Sequence, residues 1–311
     1  MNATTLYCPI CQEKVITLWN KAIDYEYFST KEEFNYYKCE DCGTIFIHPI
    51  PYEQLKDIYP SNYYSFVNKS KSIVVKIKEW LDKLFLRKIL TQLNAKEINV
   101  LDVGGGTGWI VDILKKADSR IKFTQIVDFD KNAKAIAENK GHNYFEGTIE
   151  EFETDIKFDL ILLLNLIEHV KNPLEVIKKV QALLSQNGII VIKTPNTASI
   201  DASIFRKTYW GGLHCPRHWI IFSAKSFKIL LESTNLKIKS LEYTQGAPFW
   251  AFSIIAYLFR KKLVSISADK PIIFHWLFAP LSALFAIFDF LRKPFFKTSQ
   301  MFITLNKEEI T

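Results

Sequence analysis

Four of the five cysteines fall in two Cys-x-x-Cys pairs, Cys8/Cys11 and Cys39/Cys42. Two such knuckles can supply four thiolates to one tetrahedral zinc, a closed set that leaves no position for water and so serves structure rather than catalysis. Redox Cys-x-x-Cys motifs place one pair beside a βαβ unit, whereas both pairs here precede any such unit. A second chemistry-bearing string is Val100-Leu101-Asp102-Val103-Gly104-Gly105-Gly106-Thr107-Gly108-Trp109. Glycines in such a bend let the backbone approach a ligand at the carboxyl edge of a sheet. The spacing is not the dinucleotide fingerprint: counted from Gly104, its third glycine falls on Trp109, and a count from Gly106 fails as well. Three histidines, His169, His214 and His218, titrate near neutrality and are candidates for proton removal. Between the last two, Cys215 lacks the surroundings of a nucleophile, and Arg217 can either bind a phosphate or carboxylate or simply be solvated.

These residues need a scaffold, and from Ile98 onward the pattern supplies one. Strands alternate with helices, the signature of an α/β, doubly wound, mostly parallel sheet. Strands are expected near 98–103, 123–128, 143–145, 158–164, 188–194 and 236–244, with a seventh in the alternating stretch 298–307. Asp130 caps a helix ended by Gly141, Asn172-Pro173 opens the next, and Ser223 caps one ended by Asn235. Before the sheet, Ile73, Ile77, Trp80, Leu81 and Leu84 recur at helical spacing, giving an amphipathic helix with a basic outer face. Four units are expected: a zinc module over 1–50, a tyrosine-rich linker and helix over 51–97, the sheet domain over 98–246 and 298–311, and an apolar helical insertion over 247–297.

With 311 residues, 48% of them hydrophobic, the chain can bury a substantial core. The net charge of +7 matters through clustering: Lys69 to Lys96, Arg260-Lys261-Lys262 and Arg292-Lys293, the last two flanking very apolar runs. The start, Met1 to Cys8, lacks the basic and apolar regions of a secretory signal, so a reducing cytoplasmic location and free cysteines are expected. The run 272–291 is just long enough to cross a bilayer, but His275, Pro280 and Asp289 within it argue against a simple span and for a helical insertion between the last two strands. Trp250, Phe252, Phe274, Trp276 and Phe278 with their basic flanks suit the inner face of a membrane, and a covering hairpin or a homodimer contact is the alternative.

The string Asp102-x-Gly104-x-Gly106-x-Gly108 resembles that of class I S-adenosylmethionine-dependent methyltransferases, and the resemblance extends over most of the chain. It implies S-adenosylmethionine as cofactor, with the glycine loop around its aminoacyl end. It also implies that Asp128, closing Ile126-Val127-Asp128, accepts hydrogen bonds from both ribose hydroxyls. Gly147-Thr148-Ile149 falls where the family contacts adenine, and Asn165-Leu166-Ile167-Glu168-His169 matches the motif facing the methyl group. In related enzymes the segment after the fifth strand closes over the acceptor, with a Pro-x-His string such as Pro216-Arg217-His218. His218 is therefore the first candidate base, ahead of His169 and His214.

A zinc ribbon and tyrosine-rich linker ahead of such a domain is similar to bacterial enzymes of sugar and cell-surface polysaccharide pathways. The resemblance implies methylation at oxygen or carbon of a saccharide, a lipid-linked saccharide or a quinone-like lipid. Two other readings are an RNA methyltransferase and an inactive membrane-bound adaptor. Nucleic acid is not the expected partner, and intact Asp102, Gly104, Gly106, Gly108 and Asp128 count against the adaptor.

Overall fold

The computed structural model describes residues 6–59 and 84–308, apart from the side chain of Lys56. Three strands, β1 (Ile16–Ala22), β2 (Phe34–Cys39) and β3 (Ile45–Ile47), form an antiparallel meander at the N-terminus. The larger sheet follows as β4 (Ile98–Val103), β5 (Ile121–Asp128), β6 (Asn143–Glu146), β7 (Phe158–Leu164), β8 (Leu184–Pro195), β10 (Leu236–Thr244) and β11 (Gln300–Lys307). Its order is β10-β11-β8-β7-β4-β5-β6, parallel except for β11, which runs antiparallel to both β8 and β10.

Strand periodicity sends alternate side chains to two different cores. Leu101, Val103, Ile161 and Leu163 face one core; Val100, Leu160 and Leu162 face the other. The second core is closed by 84–93 and by helices Trp109–Ala117 and Lys131–Asn139 through Leu86, Ile89, Leu90, Val111, Leu114 and Ala137. The first is closed by helices Pro173–Leu183 and Ala224–Leu231 and by Trp19, Phe34 and Tyr36 of the N-terminal meander. That meander is therefore continuous with the main core rather than a detached unit. A short strand, β9 (Ile220–Ile221), pairs with β3 and completes its sheet.

The sequence-expected punctuation is present where side chains can be checked. Asp130 accepts from the Asn132 amide, Pro173 opens its helix, and Ser223 with Ser226 closes a reciprocal capping box. Three details differ. The helix after Ser223 ends at Leu231, not Asn235, whose amide instead donates to the Gln181 side chain. β8 begins at Leu184, ahead of the expected start near 188, because Leu184 pairs with Phe158 before the register shifts. Of the expected amphipathic helix, Ile73, Ile77, Trp80 and Leu81 lie outside the described residues; Leu84 is exposed, and the buried stripe runs through Leu86, Ile89 and Leu90.

Candidate active site

The strand order reverses between β4 and β7: the chain builds outward from β4 through β5 and β6, then returns to the other side of β4 with β7 and β8. The loops after β4 and β7 therefore splay apart at a crevice on the carboxyl edge, where open α/β sheets bind ligands. Gly104, Gly106 and Gly108 occupy this bend with φ of 74°, 50° and 74°, backbone conformations that side chains oppose. Asp102 lies beneath them, buried, its carboxyl pushed up to about 8 by burial and by the neighbouring Asp128 charge. Gly105 was not part of the spacing argument, yet a Cβ there would stand 2.6 Å from Asp102 Oδ2.

Asp128 ends β5, and each of its oxygens holds one backbone amide: Gly106 N donates to Oδ2 at 2.8 Å and Asp130 N to Oδ1 at 3.0 Å. A carboxylate oxygen has two acceptor sites, so the group retains capacity for a pair of hydroxyls. Around a Cβ built on Gly106, only Asp128 among the described residues comes within 4 Å, which leaves room for a ligand above the loop. The underside is pinned: Lys140 Nζ donates to Thr107 O at 2.8 Å and pairs with Asp112 at 2.9 Å, and His142 bridges Asp112 and Thr124. Thr148 is exposed and its hydroxyl donates to Glu151, whereas Ile149 is sunk in the core with Val103 and Val127, so Thr148 is the one accessible to a base. Asn165, following β7 with φ 56°, is exposed and accepts from Gln300 Nε2 at 3.2 Å.

The three histidines, separated by up to 49 positions, come together at this edge. Ring centroids are 4.6 Å apart for His169 and His218, 5.1 Å for His214 and His218, and 6.2 Å for His169 and His214. Their hydrogen bonds set them apart. His169 Nδ1 lies 3.0 Å from Arg217 O, and His218 Nδ1 lies 2.8 Å from Gly212 O; a carbonyl only accepts, so both rings carry their proton on Nδ1. Burial drives both far below the ordinary imidazole value, His169 to about 3, with His214 deepening the shift on His169 and with His169 and His214 together deepening it on His218. His214 differs: its Nδ1 meets Glu26 Oε2 at 2.5 Å. A carboxylate there fixes the tautomer and compensates the charge of an imidazolium, the arrangement of a general base.

Three further residues complete the site: Glu26 was not singled out from the sequence, whereas Tyr59 falls in the tyrosine-rich linker and Glu168 in the motif facing the methyl group. Glu26 comes from the segment after β1, and its other oxygen accepts from Tyr209 Oη at 2.6 Å. Tyr59 of the linker places its hydroxyl 2.9 Å from His169 Nδ1 and its ring edge-on to Phe129, next to Asp128. Glu168 is fully buried with no hydrogen-bond partner for either oxygen among the described residues, and burial lifts its carboxyl to about 8. Arg217, expected to meet an acceptor anion or to be solvated, does neither. It is fully buried, donates to Asp24 Oδ2 at 2.6 Å and to Ile58 O at 2.7 Å, and stacks over Tyr27 at 4.6 Å. Burial would raise the Asp24 carboxyl, but Arg217 outweighs it and holds the group below its usual range. Cys215 is buried and its thiol is pushed well up by burial, which fits an inert side chain.

At the far end of the meander the four cysteine sulfurs lie within 4.8 Å of one another, with Cys8–Cys42 and Cys11–Cys39 each 3.5 Å apart. Sulfurs bound at ~2.3 Å on a tetrahedral zinc would be about 3.8 Å apart. The hydrogen bond between Cys8 and Cys42 pulls the Cys42 thiol down and pushes that of Cys8 up. The cysteines are free of disulfides.

The match to a family model described as "Methyltransferase domain" covers residues 76–241, more than half of the chain. The ubiquinone biosynthesis O-methyltransferase of Dictyostelium discoideum mitochondria is 29% identical over 213 residues, 59% of this chain and 64% of that protein. The chain thus spans less than two thirds of the length of that relative. A Rickettsia bellii protein named for the same activity is 28% identical over 54% of this chain and 75% of its own. Among solved structures, coclaurine N-methyltransferase with N-methylheliamine and SAH superposes with a TM-score of 0.51 at 15% identity, over 83% of this chain and 81% of the other, a likeness of fold. Glycine bend, paired acids, strand order and family match agree: the chain belongs to the class I S-adenosylmethionine-dependent methyltransferases.

Proposed function

We propose that this protein methylates a hydroxyl oxygen of a small acceptor, a saccharide or quinone-like ring carried on a lipid, with His214 as base and Glu26 as the residue that orients it. The observation that carries the reading is the 2.5 Å contact between Glu26 and His214. S-adenosylmethionine supplies an electrophilic methyl group on a sulfonium sulfur, and Gly104, Gly106, Gly108, Asp128, Thr148 and Asn165 are the residues that would hold it. Little covalent work is then left to the protein beyond alignment and removal of one proton. The acceptor hydroxyl would give its proton to Nε2 of His214, since Nδ1 is held by Glu26, and the oxygen would take the methyl group as the methyl–sulfur bond breaks, its electron pair remaining on the sulfur of a neutral thioether. The carboxylate of Glu26 offsets the charge that the ring gains. His169 and His218, neutral and bound to carbonyls, shape the pocket; Tyr59 keeps His169 in place across the crevice from Phe129.

Support for oxygen as the acceptor atom comes from the names of the two relatives, both O-methyltransferases. Support for a saccharide comes from the way Glu26 and Tyr59, from the meander and the linker, bound the site. The four cysteines hold a structural zinc that braces the meander supplying Glu26. The test is incubation of the purified protein with methyl-labelled S-adenosylmethionine and either a lipid extract or a polar small-molecule extract of cells, followed by mass spectrometry. Label in a lipid-extractable compound, lost at least 100-fold in His214→Ala but not in His218→Ala, is expected. Label confined to polar compounds, or full activity in His214→Ala, would overturn the acceptor or the base respectively.

A further inference from the structure

Two helices, Ala247–Arg260 and Phe278–Arg292, lie between β10 and β11. They pack together through Trp250, whose ring stacks on Phe285 with centroids 4.4 Å apart and 6° between planes. The first helix is sealed against the domain: Trp250, Ala251, Phe252, Ile255 and Ala256 are buried, and Ser253 Oγ accepts from Gly211 N at 2.8 Å in the loop that carries His214. The second is inverted relative to an ordinary surface helix. Its buried residues are Asp289 and Arg292, paired at 2.9 Å, with Asp289 also accepting from Gly246 N. Its outer side presents Leu284, Ile287, Phe290 and Leu291, and the patch continues into Phe295, 79% exposed, and Trp276, 75% exposed.

A contiguous apolar face of this kind is not stable against water without a covering partner. The charges beside it say which partner. Arg260, Lys261, Lys262, Lys270, Lys293 and Lys297 are exposed in the same segment, and Asp269 is its only exposed acid. Aromatic and aliphatic side chains ringed by cations match the interfacial region of a bilayer with anionic headgroups. The helix of 15 residues is about 22 Å long, short of the ~30 Å hydrocarbon core, and among the described residues no helix is long and apolar enough to cross a membrane.

We propose that the outer face of Phe278–Arg292 with its flanking loops is a docking surface for an anionic lipid bilayer, on which the helix lies in the interfacial plane. The surface stands independently of the acceptor, since vesicle binding is measured without methyl transfer. The test floats the full chain on vesicles of phosphatidylcholine alone or mixed with phosphatidylglycerol. The protein should rise with the mixed vesicles, less so at high salt, and not with phosphatidylcholine alone. Lys261→Gln and Lys262→Gln should each weaken binding roughly fivefold. The double change Phe295→Ser/Phe296→Ser should abolish flotation while leaving cofactor affinity intact. Protein that stays at the bottom of the gradient with mixed vesicles, or the double variant floating like the parent, would overturn the proposal. So would a dimer in sedimentation equilibrium that the double change dissolves while vesicles capture nothing, because the face then covers a second copy.

Discussion

Three imidazoles in one cluster are not interchangeable, and the atom each lends to its neighbour decides which can take a proton. Histidine positions were legible in the sequence, because that residue type near a cofactor motif has few roles. The choice among them was not: the sequence points first to His218, whereas Glu26, the partner that distinguishes His214, lies 188 positions away. Glu168 is the other residue whose role emerges only in three dimensions. Its carboxyl, fully buried and without a hydrogen bond among the described residues, keeps its proton to about pH 8, while in the unfolded chain it would lose it near ~4.3. A raised acid binds more protons folded than unfolded between those values, so stability falls as pH rises through that window and levels off above it. Glu168→Gln removes this contribution, though Asp102, shifted the same way, retains its own. Denaturant unfolding at about pH 5 and about pH 8 should show the variant losing on the order of 3 kcal/mol less stability than the parent across that interval. Equal losses in both proteins would show that Glu168 is already ionised in the fold.

The strands and their caps were read well because each obeys a local rule: short apolar runs buried on both faces in β4 and β7, a side-chain oxygen before the helices at Lys131 and Ala224. What local rules could not show is how the N-terminal meander joins the rest. β9 has two residues, too short to announce itself, yet it completes that sheet, and Asp24 gathers Arg217, Ser29 and the amides of Glu26 and Tyr27 into one buried knot. Arg217 thereby fastens the meander to the acceptor loop instead of binding a ligand. If zinc braces the cysteine end, its removal should be felt at the base. Chelation is expected to lower Tm and to reduce labelled-methyl transfer at least tenfold, with cofactor affinity little changed because Gly104 to Gly108 and Asp128 belong to the larger sheet. Metal analysis finding no zinc in protein of full activity would remove this role from the four cysteines.

Taken as one object, the protein is a cofactor domain whose proposed acceptor side is assembled from elsewhere in the chain: Glu26 from the meander, Tyr59 from the linker, and the loop 209–218 braced by Ser253 of the first apolar helix. The apolar run was visible in the sequence, but its sidedness was not, since only packing shows that Asp289 and Arg292 turn inward and the phenylalanines outward. The central claim is that the base works because a carboxylate from the N-terminal meander holds it. The most direct measurement is the rate of labelled-methyl transfer by Glu26→Gln beside the parent, with cofactor affinity determined on the same samples. A maximal rate roughly 10- to 100-fold lower with unchanged cofactor binding is expected. A variant with the parent's rate would contradict the claim.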